Sequence, residues 1–271
     1  MESNAAEVTR TANRPRIIRG FVFKSVFGDD PELCRELIEV SLNMKVKSVE
    51  VVQPEREIDV HVDRRAGRLD LFVVDNDGRH YDIEVQAQRR HNEWLRARHY
   101  QALMDVSQLR KGTEVNKLRD SIVVFVCDFD PVGAGWRVYD CRTVCLQTGE
   151  AVADGRRLVL LNAHGTMGEV SSSLDAFLRF VGGEDVQGDP FVDRLNAIID
   201  EKVADREWME NYMDYYDELE AEKEAARRDG RAEGLVEAAA KMVREGVMDE
   251  GTAAGLLGIT VDDIRRALAE V

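Results

Sequence analysis

Residues 68–100 read RLDLFVVDNDGRHYDIEVQAQRRHNEWLRARHY, and no other stretch limits the fold as strongly. Leu69, Leu71 and Val73 alternate with Asp70, Phe72 and Val74. After a turn, Tyr81, Ile83 and Val85 alternate with Asp82, Glu84 and Gln86. Period-two alternation on both sides of Asp75-Asn76-Asp77-Gly78 specifies a β-hairpin, and the basic segment after it reads as a helix. Loop length sets the register. A two-residue loop at Asp77-Gly78 sets Asp70 against Val85. A three-residue loop, Asn76-Asp77-Gly78, sets Asp75 against Arg79 and Asp70 against Glu84. The second is preferred, because such loops end on a left-handed residue and Gly78 suits that place. Directly opposed residues have Cβ atoms about 4.5–5.5 Å apart, within reach of one shared divalent ion. Without a cation, two like charges so placed destabilise a sheet. Gln86 shares the face of Glu84.

The chain has 271 residues, 44% of them hydrophobic, enough for a packed core and an appendage. No apolar run reaches the roughly 18–20 residues that span a membrane. Residues 1–16 lack the apolar region of a secretory signal and read as a disordered arm. Cys34, Cys127, Cys141 and Cys145 have no zinc spacing, so reduced thiols and a cytoplasmic protein are expected. The net charge of −15 argues against nucleic acid until its distribution is considered. Residues 201–271 hold 19 acidic and 10 basic side chains. Residues 86–119 hold eight basic and three acidic ones. A local basic face on an acidic protein can still hold phosphates, with weak long-range steering.

In chain order, residues 17–28 suggest a short helix ending at Gly28. Asp30-Pro31 opens a second helix as N-cap and first position. Residues 46–62 give one or two strands, with His61 at their end. The helix after the hairpin runs from Glu93 to the neighbourhood of Lys111-Gly112. Residues 121–127, SIVVFVC, form a strand buried on both faces. Residues 136–146 read as a strand pair, residues 158–161 as further strand, and residues 171–181 as a helix closed by Gly182-Gly183. The core is assigned to residues 17–200 and an acidic helical tail to 201–271. In the tail, Trp208, Tyr212, Tyr215, Tyr216 and Leu219 form a stripe suited to core packing or to a homodimer seam. Residues 220–234, interrupted by Gly230 and Gly234, read as a hinge or frayed helix. Residues 241–269 resemble a helix-turn-helix around Gly258, with Arg265 and Arg266 as its obvious phosphate contacts.

A hairpin bearing Asp, then Glu-x-Gln, then a basic helix with Tyr, resembles the PD-(D/E)XK nuclease fold. The fuller resemblance is to the PD-(D/E)XK nuclease-family transposases, or recombination-promoting nucleases. It rests on FVFKSVFG (21–28), RLDLFVVD (68–75), YDIEVQ (81–86), RARHYQALMD (96–105), QLRKG (108–112) and VVFVCDFDP (123–131), in that order, and extends over about residues 17–240. It implies an α/β, restriction-endonuclease-like mixed sheet flanked by helices, with a helical C-terminal extension. It also implies Mg²⁺-dependent (or Mn²⁺-dependent) hydrolysis of DNA. Asp70, Glu84 and the Val85 carbonyl would hold the metal. Gln86, where the fold usually has Lys, would orient the attacking water. Arg96, Arg98 and Tyr100 would bind the substrate, with Arg98 as the phosphate clamp. Gly20 stands where the family carries an acid, and Glu36 or Glu57 are the candidates to replace it. Two other functions compete: a catalytically impaired relative that binds nucleic acid or protein, and an oligomeric interaction protein working through the 208–219 stripe. An acidic tail lying over a basic cleft would mimic DNA.

Overall fold

A computed structural model describes residues 14–58, 67–109, 112 and 114–269. His61 and Lys111 lie outside the described residues. The chain divides into two compact units, Met1–Met209 and Glu210–Val271. In the first unit, α1 (Gly20–Phe27) and α2 (Pro31–Leu42) precede strands β1 (Val49–Ile58), β2 (Gly67–Asp75) and β3 (His80–Gln86). Then come α3 (Glu93–Gln108), β4 (Ser121–Cys127), β5 (Val138–Cys141), β6 (Arg156–Asn162), α4 (Ser172–Val181) and α5 (Pro190–Ala204). Helix α6 (Arg206–Arg244) leads into the second unit, where α7 (Glu250–Leu257) and α8 (Val261–Ala269) follow.

The strands form one six-stranded mixed sheet in the order β1-β2-β3-β4-β6-β5. β1, β2 and β3 pair antiparallel, β3, β4 and β6 pair parallel, and β5 closes the far edge antiparallel. β4 is buried along its whole length, as its unbroken apolar run requires. Helix α3 covers one face, packing Ala97, Tyr100, Leu103 and Met104 on Phe72, Val123, Phe125 and Leu160. The N-cap expected at Asp30 is present, and a second one is found at Ser171. The Asp30 carboxylate accepts from the Leu33 N–H at 2.8 Å with Pro31 behind it, and Ser171 caps α4.

Four sequence expectations are corrected. Arg14 and Arg16 do not belong to a free arm. Arg14 binds Asn196 and Asp200, Arg16 binds the Val181 carbonyl and Asp128, and Ile17 and Ile18 are buried behind them. Residues 136–146 give one strand, β5, and an isolated bridge from Val144 to Ala151 rather than a strand pair. Helix α3 stops at Gln108, short of the 111–112 boundary. Finally, α6 passes through Gly230 and Gly234 as one helix of 39 residues. Each glycine costs about 1 kcal/mol in a helix, too little to break one that is otherwise rich in Ala, Glu, Lys and Arg.

Candidate active site

The three-residue loop is the one formed. The Gly78 N–H donates to the Asp75 carbonyl at 2.9 Å, and Gly78 has φ +77°. The β2–β3 register runs from Val74↔His80 to Leu71↔Ile83 and stops there. Beyond that point β2 stays with β1, down to Ile58↔Gly67, while β3 stays with β4 to Gln86↔Cys127. The two strands therefore splay at their open end. Asp70 and Glu84 are the first residues past the split. They remain in touch, because Glu84 Oε1 accepts from the Asp70 N–H at 3.2 Å. Val85 follows Glu84 on the part of β3 that has left β2 and pairs with β4 alone.

Glu84 is not on a solvated face; α3 covers it and leaves it 1% exposed. Burial, then the negative charge of Asp70, pushes its carboxyl up to about 8, against the pull of Arg96. Arg96 Nη2 donates to Glu84 Oε2, while its Nη1 donates to Gln86 Oε1 at 2.8 Å. The Arg96 guanidinium also donates to the Tyr100 hydroxyl at 3.1 Å. Gln86 Nε2 lies 3.4 Å from Glu84 Oε2, so both ends of this amide are engaged. Gln86 braces the Glu84–Arg96 pair. Arg96 and Tyr100, four residues apart, share one flank of α3, as helical spacing requires. Arg98 falls on the other flank, exposed and away from the acid pair, facing β5 and β6.

Three residues of the site escaped the sequence reading. Lys24 comes from α1, its side chain 16% exposed, with Nζ 2.6 Å from Glu55 Oε1 and 3.6 Å from Asp70 Oδ1. Glu55 also pairs with Arg68 and sits at φ +55°, a left-handed conformation uncommon away from glycine. The signals were local: Lys24 is the cation of FVFKSVFG, and Glu55 follows Pro54. Neither Glu36, which pairs with Arg194, nor exposed Glu57 takes the place of an acid at Gly20; Glu55 is the acid nearest Asp70 by way of Lys24. The third is Asp82, two residues before Glu84 on the same face of β3. It is fully buried, and neither carboxylate oxygen has a partner. Burial first, then Glu84 and Asp70, holds its carboxyl well above the usual carboxylate range.

Asp70 and Glu84 bring hard carboxylate oxygens together, the kind Mg²⁺ accepts when water completes its shell. Among the described residues no group of three His, Cys, Asp or Glu side chains is arranged to hold a metal. The two acids fit an ion that keeps most of its waters and do not fit an all-protein cage. Their mutual repulsion is met here by Lys24 on one side and Arg96 on the other.

A six-stranded mixed sheet flanked by helices, with Asp70 and Glu84 meeting at a splayed hairpin beneath α3, is the architecture of a restriction-endonuclease-like, PD-(D/E)XK fold. The family model described as PD-(D/E)XK nuclease family transposase matches residues 18–140, and over that stretch the chain is similar to this family. The match ends with β5, short of the 17–240 span expected. No curated protein and no solved structure matches the chain.

Proposed function

We propose that this protein is a Mg²⁺- or Mn²⁺-dependent DNA endonuclease of the recombination-promoting, transposase-like class, working inside the cell. The observation that carries the reading is the meeting of Asp70 and Glu84 where β2 and β3 separate. A divalent ion held by Asp70, Glu84 and the Val85 carbonyl would supply Lewis acidity toward the scissile phosphate and a more acidic bound water. The side chains supply the rest. Arg96 orients the buried Glu84 carboxyl and favours its ionised form against the effect of burial, and Gln86 bonds to both. The Tyr100 hydroxyl accepts from Arg96, so its own proton is free to donate to a phosphate oxygen. Lys24 places a positive charge beside Asp70 where Gln86 supplies none. Asp70→Ala and Glu84→Ala should each lower plasmid nicking in Mg²⁺ by at least about a hundredfold while circular dichroism stays unchanged. Nicking by both variants at the parental rate would remove the reading.

A second reading is supported by the same ion pairs. Lys24 and Arg96 already neutralise both acids, so the chain would serve as a binding module without cleavage. Its mark is DNA or protein capture that Mg²⁺, Mn²⁺ and EDTA leave equal, with no nicked product. Homodimerisation through the tail is best tested by truncation after Met209, because Trp208 packs at a tilt against Phe21 (centroids 5.5 Å apart) and donates to Ser25 Oγ at 2.7 Å. An unchanged mass on size exclusion would remove the seam. Helix α7 ends at Gly258 (φ +68°), and α8 follows it. Arg265 and Arg266 are paired with Glu250, Asp262 and Asp263, which argues for a packing role over phosphate contact.

A further inference from the structure

The far flank of α3 carries a second arrangement of arginines, separate from the acid pair. Trp94, Arg98 and Gln101 follow one another at helical spacing and line a cavity of about 240 Å³ with Arg142, Arg156 and Arg157. The same three arginines line an adjoining, larger hollow of about 470 Å³. In a chain with 52 acidic and 37 basic residues, such a gathering departs from the average.

Arg142, Arg156 and Arg157 are oriented by side-chain partners, while Arg98, Arg142 and Arg156 stay exposed to solvent. Gln101 is buried, and its Nε2 donates to the Arg157 carbonyl at 3.0 Å. Its Oε1 accepts from Arg156 Nη2 at 3.0 Å. Arg156 is thus aimed by a neutral partner that leaves its charge in place. Arg157 and Arg142 share one carboxylate, Asp140, at 3.0–3.3 Å. Arg98 makes no ion pair among the described residues. Asp154, held by the Thr143 hydroxyl at 2.7 Å, stands near Arg156, so four guanidiniums meet two carboxylates. At the edge of this positive hollow, Trp94 is 50% exposed, a large apolar ring that the fold leaves uncovered. A fixed guanidinium recognises a phosphate, and a free indole one helical turn from Arg98 offers a stacking face to a planar base. An acidic peptide would satisfy the arginines but would leave the indole idle. A paired duplex would keep its bases out of the indole's reach.

We infer that this flank of α3 is a binding groove for single-stranded nucleic acid, with a base stacked on Trp94 and the backbone phosphates on Arg98 and Arg156. The inference stands whether or not the acid pair cuts DNA. The test uses the full chain carrying Asp70→Asn, in EDTA, titrated into a fluorescent single-stranded oligothymidylate of about 12 nucleotides. Trp94→Ala and Arg98→Glu should each weaken binding about tenfold, and Trp94→Phe should retain most of it. Arg98→Glu should also flatten the salt dependence. Both positions lie on an exposed helix flank, so far-ultraviolet circular dichroism should be unchanged. Equal affinity in Trp94→Ala and the parent overturns the groove. So does equal binding of a duplex of the same length, or of polyglutamate, with the same dependence on Trp94. If Trp94 governs binding but plasmid is never nicked, the nuclease reading falls and the groove remains.

Discussion

The β2–β3 hairpin carries buried acids at both ends, and the two ends treat them in opposite ways. At the turn, Asp75 is fully buried and fully satisfied. Its Oδ1 accepts from the N–H groups of Asp77 and Arg79 at 2.9 Å, and its Oδ2 accepts from the Tyr81 hydroxyl at 2.8 Å and from Arg79 Nη1 at 3.3 Å. At the open end, Asp82 is equally buried with no partner, and Glu84 faces another acid and leans on Arg96. Both are carboxylates on one ribbon, yet one locks the turn and the others are held out of balance. A buried charge with complete hydrogen bonding is a structural element. Buried acids left short of partners and crowded together mark a place where something else is meant to bind.

The comparison breaks first at Asp75. Asp75→Ala removes four acceptor contacts and strands the Tyr81 hydroxyl and the Arg79 guanidinium, and should cost about 3 kcal/mol of stability in urea denaturation. A loss below about 1 kcal/mol would mean that the turn is held by Gly78 and its backbone bonds alone.

Asp82 should behave in the opposite sense. Its folded carboxyl lies above the roughly 3.9 of an unfolded Asp, as Glu84 lies at about 8 against roughly 4.3. A carboxyl raised on folding contributes stability that is complete below the unfolded value and lost as pH climbs through the folded one. The parent should therefore lose stability between about pH 4 and pH 8. Asp82→Asn removes part of that loss, so its melting temperature should gain on the parent as pH rises, by about 2–4 °C for each kcal/mol recovered. Parallel melting curves across that range would show Asp82 to be as well satisfied as Asp75.

Sequence patterning made one end of this hairpin more legible than the other. Gly78 fixed the loop length, and the loop length fixed which residues face each other, so the Asp70–Glu84 meeting followed from chain-local chemistry. Alternation also put Glu84 and Gln86 on one face. It could not say that α3 would bury that face, since the covering helix joins it through tertiary packing. Nor could it bring Lys24 and Glu55 to Asp70, because they arrive from α1 and β1 over separations of 46 and 15 residues. Arg96 and Arg98 were separable in advance. Two residues along a helix turn a side chain by about 200°, so only one of them could share a flank with Tyr100. Gly230 and Gly234 misled for a different reason: glycine is read as a breaker, but its penalty is small beside the helix-forming residues around it.

Two smaller substitutions sharpen the contrast. Gly78→Ala places a side chain at φ +77° with its Cβ 3.3 Å from Arg119 Cγ, and should cost about 1–2 kcal/mol. Because the turn lies at the end remote from Asp70, nicking per folded molecule should be unchanged.

Gly20→Glu is expected to have the mildest effect, and it probes the open end. A Cβ built at Gly20 meets nothing within 4 Å, and the position opens α1 one turn before Lys24. A carboxylate there sits at the positive end of the helix dipole and at i,i+4 spacing from Lys24. Replacing glycine inside the first turn also favours the helix by a few tenths of a kcal/mol. The substitution should therefore raise stability by about 0.5–1 kcal/mol in urea denaturation. It also gives Lys24 a third acid to pair with, in competition with Glu55 and Asp70. If Lys24 serves the site by standing beside Asp70, the new acid should lower nicking in Mg²⁺ even as the protein becomes more stable. Gains in both would place Lys24 outside the chemistry and leave Arg96 as the cation on which the acid pair depends.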